Sequence, residues 1–330
     1  MAYETERRVA IEAVIKACQL CRTVRANLVT DQTMAKKDKS PVTVADFGAQ
    51  AVVSTELMRF FPNDPLVGEE DSSDLRTERG AVLKDKVVQN VIVVSGGLSE
   101  RQILAAIDHG TYEGGPTGRH WTLDPIDGTK GFLRGDQYAV ALALIEDGKP
   151  VLGVLGCPNM PLDAKNPDGT KGCLFIAVKG ESATMRPIDN ADEKTIATTE
   201  VTDPVEASFC ESVESAHSSH SDAARIAEIL GVTAEPYRID SQCKYAAVAR
   251  GDASIYLRLP TKAGYQEKIW DHAAGWTVIN QAGGQVTDVR GVPLDFSSGR
   301  TLRNNLGVVA TNGKLHEKVI TAVRQVLELS

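Results

Sequence analysis

Two aspartates stand three residues apart in the stretch WTLDPIDGTKGF, residues 121–132. Asp124 and Asp127 flank Pro125 and Ile126, and Gly128 and Thr129 follow at once. More acids fall where a helix or strand should begin or end: Asp46, the run Glu69-Glu70-Asp71, and Asp271 in WDHAAG. Each has an ordinary structural use. Asp46, three residues after Thr43, suits a capping box, and Asp271 suits a helix cap. The acidic run suits a solvated loop, and Asp124 and Asp127 suit turns. As a set they suit metal chemistry. Trp121, Leu123 and Ile126 mark the chain around Asp124 and Asp127 as buried, and no Lys or Arg lies between the two acids. Buried carboxylates are costly unless a cation meets them. Carboxylates and a backbone carbonyl, here that of Ile126, are the hard oxygen ligands that Mg²⁺ takes. Gly128 and Thr129 offer backbone N–H groups and a hydroxyl to an anion.

Other chemistries find less support. The chain has no P-loop, no dinucleotide Gly-x-Gly-x-x-Gly, no His-Glu-x-x-His and no Gly-x-Ser-x-Gly. A net charge of −8 argues against sequence-independent binding to nucleic acid or to an anionic membrane. No run of about 18 apolar residues offers a membrane span. The start, MAYETERRVAIEAVIK, goes almost directly into a helical pattern rather than a signal peptide. Six scattered cysteines fit reduced thiols and a cytoplasmic setting, with an organelle still open if a cleaved extension precedes the chain. Cys18 and Cys21 form a Cys-x-x-Cys, but they share an apolar helical stripe with Val14, Ala17, Val24 and Leu28. That pattern predicts buried helix thiols rather than a redox or zinc pair.

The elements that must position the acids follow from periodicity. Residues 4–28 predict an amphipathic helix, and TMAKKDKSPVTVAD a polar, charged loop. A second helix opens at Thr43 and Asp46, with Ala49, Val52, Val53, Leu57 and Phe60 on its apolar side, and FPNDP stops it. LVGEED predicts a short strand ending in acids, VVQNVIVVS a strand, and SERQILAAID a helix. Two β-rich runs around the Asp-Gly of QYAVALALIEDGKPVLGVLGCPN predict a hairpin, with CLFIAVKG and SATMRP forming another. The polar segment near 187–204 is the linker candidate. Beyond it strands and helices alternate. The division expected is an N-terminal α+β subdomain over 1–200 and a C-terminal α/β subdomain over 201–330.

Taken together, GEED, DPIDGT and WDHAAG, in that order, resemble the lithium-sensitive, magnesium-dependent phosphomonoesterase superfamily that includes inositol monophosphatase and fructose-1,6-bisphosphatase. The likeness spans essentially the whole chain and implies a layered αβαβα sandwich. Finer stretches resemble the 3′(2′),5′-bisphosphate nucleotidases: SPVTVADFGAQ, VESAHSSH, DSQCKYAAVARG and YLRLPTKAGYQEKIWDHAAG. That group removes the 3′-phosphate of 3′-phosphoadenosine 5′-phosphate (PAP) to leave AMP.

The resemblance implies two or three Mg²⁺ ions held by Glu69, Asp124, the Ile126 carbonyl, Asp127 and Asp271. It gives Thr129 and Asp46 the positioning and deprotonation of the attacking water. It places Gly128, Thr129, His217, Ser241, Lys244, Arg258 and Asp271 at the substrate. Lys244 and Arg258 suit the retained 5′-phosphate, although both also fit surface charges, and His217 fits a Ser/His-rich loop. Further implications are inhibition by Li⁺ and Na⁺, activity on the sulfated nucleotide PAPS, a link to sulfate assimilation and salt tolerance, and a monomer. AKKDKSPV, with Lys36, Lys37 and Lys39, is either a lid over the anion or a solvated loop. Two alternatives stay open: an inositol polyphosphate 1-phosphatase, and a nucleotide-binding sensor without catalysis.

Overall fold

The computed structural model describes residues 2–26, 33–35, 41–213, 220–262 and 264–329. Lys36, Lys37, Lys39, the Thr43 side chain and His217 lie outside the described residues. The helices are α1 (Glu4–Ala26), α2 (Val44–Phe60), α3 (Ala81–Ser95), α4 (Glu100–Asp108), α5 (Thr129–Arg134), α6 (His220–Leu230), α7 (Cys243–Arg250), α8 (Ala273–Gln281) and α9 (His316–Val326). The strands of the first half are β1 (Thr33–Ala35), β2 (Pro41–Thr43), β3 (Leu66–Gly68), β4 (Arg119–Asp127), β5 (Ala139–Glu146), β6 (Lys149–Pro161), β7 (Lys171–Val178), β8 (Thr184–Pro187) and β9 (Lys194–Thr195). Those of the second are β10 (Phe209–Glu211), β11 (Tyr237–Arg238), β12 (Ile255–Arg258), β13 (Gln285–Thr287) and β14 (Val308–Thr311).

Five layers result. A seven-stranded sheet runs β3-β4-β5-β6-β7-β8-β9, with β3 parallel to β4 and every later pair antiparallel. Strand β5 shows why it is covered on both faces. Val140, Leu142 and Leu144 point to one side, into a core shared with α1, α2, α3 and α4. Ala139, Ala141 and Ala143 point to the other, where α7 and α8 pack. Small residues on that face let the helices come close: a Cβ on Gly153 would lie 2.7 Å from the Ala274 carbonyl. Behind α7 and α8 lies a five-stranded sheet ordered β11-β10-β12-β14-β13, backed by α6 and α9. The layers therefore follow the expected αβαβα order. The segment after β9 is tied down: Thr198 N–H donates to Ala282 O, and Asn312 Nδ2 donates to Thr199 O and Val201 O.

Three expectations need correction. VVQNVIVVS lies in helix α3, not in a strand. Its Leu83, Val87 and Val91 recur every four residues and are buried, while Val82 and Val93 are 67% and 76% exposed. That one-sided burial against α1 and α2 overrides the β-preference of valine. Phe60 does not face the core; it is 37% exposed, with the guanidinium groups of Arg8 and Arg59 over its ring. The polar segment before α2 is not all loop, because β1 pairs antiparallel with β2. Cys18 and Cys21 are buried in α1 as free thiols, and burial pushes the Cys18 thiol up to about 12.

The α3 geometry makes a clear forecast. Val87→Ala should destabilise the protein by about 2 kcal/mol, whereas Val93→Ala should change stability by less than about 0.5 kcal/mol. Urea denaturation of both variants checks this, and equal effects would contradict one-sided burial.

Candidate active site

Asp124 and Asp127 do not sit in a free turn. They end β4, and the register explains how they meet. Asp124 lies opposite Ala141 and Asp127 opposite Ala139, so three steps on β4 match two on β5. That is a β-bulge with one extra residue. In a regular strand, residues three apart point to opposite faces. The bulge restores the match, so both aspartates share the face of Ala139 and Ala141 while Leu123 and Ile126 enter the core on the other side. Asp124 Oδ1 accepts from Ile126 N–H at 3.1 Å, which ties the carboxylate across the bulge. The Thr129 hydroxyl donates to the Ile126 carbonyl at 3.3 Å.

Asp46 enters the site from the first turn of α2 and is 2% exposed. Glu69 follows β3 directly and is half-buried. From the second half, the N-terminus of α7 meets Asp127, whose Oδ2 accepts from Gln242 N–H. Ser241 is next to it at φ +66°, an unusual conformation for a residue with a side chain. Its Oγ accepts from Cys243 N–H at 3.2 Å and so helps to start α7. Gly128, at φ +91°, abuts this corner, and a Cβ there would lie 2.9 Å from Ser241 Cβ. The chain thus places Gly128, Thr129 and Ser241 side by side with the two aspartates.

The two basic residues are not surface charges, and they differ. Lys244 is 4% exposed, with Nζ 5.3 Å from the centre of the Tyr256 ring. Among the described residues no hydrogen bond or ion pair holds that ammonium. Burial lowers its pKa, and the nearby Asp127 works the other way. Arg258 is committed: Nε is 2.8 Å from Glu267 and Nη2 is 3.3 Å from Asp271. Glu267 also meets His272 Nε2 at 3.1 Å, and His272 Nδ1 lies 2.7 Å from the Tyr245 hydroxyl. Burial opposes the charge on Glu267, but Arg258 and His272 hold its carboxyl down to about 2.

The remaining acids are pushed the other way. Burial, then Glu69, Asp127, Asp271 and Asp46, raise Asp124 well above the usual carboxylate range. Burial also raises Asp127, against the pull of Lys244, Arg258 and the Gln242 N–H. It raises Asp271 well above the usual range, against Arg258 and together with Asp127, Glu267 and Glu69. No Lys or Arg lies between Asp124 and Asp127 in the sequence, but the fold brings Lys244 and Arg258 close to Asp127. They offset only part of the charge. Buried carboxylates that raise one another are a donor set suited to a hard divalent cation. Glu267, Asp271 and His272 bring ligand atoms within 4.8 Å of one another, yet Arg258 already sits between the two carboxylates. That cluster is an ion-pair network rather than a metal cage.

Sequence reasoning missed Gln50, Glu267, His272, Tyr245 and Arg300. Gln50 left a trace, as an amide one turn after Asp46 in an otherwise apolar helical run. Arg300 left none.

Residues 2–328 match the inositol monophosphatase family, and the chain belongs to that family. Among curated relatives, it is 46% identical to the 3′(2′),5′-bisphosphate nucleotidase of Emericella nidulans, with both chains covered in full. It is 49% identical to 3′(2′),5′-bisphosphate nucleotidase 1 of Arabidopsis thaliana, over 98% of this chain and 97% of the relative. Among solved structures, the Thermotoga maritima IMPase aligns at a TM-score of 0.64 with 21% identity, covering 96% of each chain. Mycobacterium tuberculosis SuhB aligns at 0.62 with 20% identity, covering 99% and 98%. These two share the fold.

The raised carboxylates fix a pH dependence. An acid whose folded pKa exceeds its unfolded value binds more protons when folded, so stability falls as pH rises through that window. Metal-free protein in chelator should melt at lower temperature as pH increases from about 5 to 8. Asp124→Asn should flatten this slope, since it removes one of the strongly opposed charges and keeps an oxygen for Ile126 N–H. A wild-type slope in the variant would refute the electrostatic account.

Proposed function

We propose that the chain is a divalent-metal-dependent 3′(2′),5′-bisphosphate nucleotidase that cleaves the 3′-phosphate of PAP to yield AMP and phosphate. The observation that carries this reading is the buried Lys244 ammonium, unpaired among the described residues, behind a face of converging carboxylates. One group asks for cations, the other for an anion. A nucleotide with one phosphate to lose and one to keep answers both. The likeness to curated nucleotidases along the whole chain supports the same substrate class.

Glu69, Asp124, Asp127, Asp271 and the Ile126 carbonyl would hold two or three Mg²⁺ ions. When bound, the ions supply charge neutralisation at the phosphate and lower the pKa of water at the site. The protein's own part is positioning. Thr129 Oγ1 orients the attacking water and Asp46 takes its proton. The bond from the water oxygen to phosphorus forms as the bond from phosphorus to the 3′-oxygen breaks in line, and the 3′-oxygen takes a proton from solvent water. For this the Thr129 hydroxyl leaves the Ile126 carbonyl for Asp46. The same rotation frees that carbonyl as a ligand. Gly128 and Thr129 offer N–H groups to the reacting phosphate. Lys244 and Ser241 hold the retained 5′-phosphate, and Arg258 orients Asp271 and borders the nucleotide. His217 keeps its assignment to the nucleotide by resemblance alone. Inhibition by Li⁺ and action on PAPS belong to the same reading.

Phosphate release with Mg²⁺ should favour PAP over inositol 1,4-bisphosphate in kcat/KM, and the reverse preference would overturn the proposal. Asp127→Asn should lower kcat about 100-fold or more, a loss that a binding-only sensor could not display. Lys244→Met should raise KM for PAP about 10-fold or more and leave KM for adenosine 3′-monophosphate nearly unchanged. An equal effect on both substrates would move Lys244 away from the 5′-phosphate.

A further inference from the structure

Two side chains given no role so far, Gln50 and Arg300, grip the main chain on either side of Glu69. Gln50, fully buried on α2, accepts from Glu70 N–H at 3.0 Å through Oε1. Its Nε2 donates to Glu70 O at 2.6 Å and to Ile107 O at 2.7 Å. On the other flank Arg300 Nη2 donates to Gly68 O at 2.6 Å, and Nη1 donates to Gly110 O at 3.2 Å and to Tyr112 O at 3.0 Å. Gly68 N–H closes the group by donating to Gly110 O at 2.8 Å. There is no room to spare. A Cβ on Gly68 would lie 2.6 Å from Gln50 Oε1, and one on Gly110 would collide with Gln50 Nε2.

Each grip leads to another acid of the site. Gln50 lies one turn beyond Asp46 on the same helix. The Arg300 guanidinium stacks 4.9 Å over the Trp270 ring, and the Arg300 carbonyl accepts from Ile269 N–H at 3.2 Å, both just before Asp271. We propose that Gln50 and Arg300 are positioning residues that brace the Glu69 carboxylate between Asp46 and Asp271 and so set the site's affinity for divalent cations. This rests on the reading of Glu69 as a metal ligand. The repulsion among the acids gives the brace something to resist: Glu69 is the first neighbour to raise Asp124. Unbraced, the short segment after β3 can relax away from the other carboxylates. Displacements of about 1 Å in such a constellation are costly.

The test uses the full-length protein, Mn²⁺ as the probe, and electron paramagnetic resonance of the free ion to measure binding. Arg300→Met, Arg300→Lys, Glu69→Gln and the Arg300→Met/Glu69→Gln double variant are compared, with metal-free melting as the fold check. Arg300→Met should weaken Mn²⁺ binding about 10-fold and leave KM for PAP at saturating metal within about 2-fold of wild type. Arg300→Lys, which keeps the charge over Trp270 but not the planar fork, should fall in between. In the Glu69→Gln background, Arg300→Met should add less than about 3-fold, because both changes act through one ligand. Wild-type Mn²⁺ binding by both Arg300 variants, with Glu69→Gln impaired, would overturn the brace alone. So would an equal effect of Arg300→Met in both backgrounds. If Glu69→Gln itself bound Mn²⁺ like wild type, the ligand reading of Glu69 would fail first. Should Arg300→Met not fold, Arg300→Lys carries the same comparison.

Discussion

Like charges held together on one face of a sheet are the constraint to which the rest of this structure answers. Asp46, Glu69, Asp127 and Asp271 all push the Asp124 carboxyl upward, on top of its burial. A cluster of that kind would spread if its members were free. Here rigid main chain fixes each of them: Asp46 in the first turn of a buried helix, Glu69 beside the Gln50 amide, and the Asp124 carboxylate across a bulge. Asp127 is fixed against the start of α7. The fold spends its rigid elements on keeping repelling groups close, which is what a cation-binding constellation requires.

The cations in the chain are divided between two tasks. Arg258 uses its planar fork on Glu267 and Asp271, and His272 and Tyr245 extend that network inward. Lys244, a compact charge on a flexible stem, faces the site from α7 without an ion-pair partner among the described residues. The geometry suits the residue types. A fork satisfies two carboxylates at once and fixes their angle, while a point charge is available for an incoming anion.

Much of the fold could be read in the sequence wherever pattern and turn chemistry agreed. The β5–β6 hairpin follows from alternation around Asp147 and Gly148, which take φ +47° and +70° as such a turn demands. Helix α4 has the capping box of Ser99 and Gln102. Helix α3 could not be read by composition, because its valines signal a strand until one knows that the fully buried positions recur every fourth residue. The acids could be read as a set, yet the bulge that brings two of them to one face could not, since no single residue encodes register. Arg258 and Arg300 were opaque for a plainer reason. Arg300 meets carbonyls far away in the chain, Arg258 meets acids across an irregular loop, and charge alone does not say which carboxylate or carbonyl an arginine will meet.

The layer order also bears on descent. Glu69, Asp124 and Asp127 belong to the first sheet, whereas Ser241, Lys244 and Arg258 belong to α7 and the sheet behind it. Only Asp271, at the head of α8, stands at the joint between them. The two halves meet at the start of α7, where Gln242 N–H holds Asp127, while β12 lies one layer further back. Proteins about one-fifth identical to this chain keep the same layers. A lineage built on this plan can replace about four residues in five and still inherit the scaffold that presses these acids together.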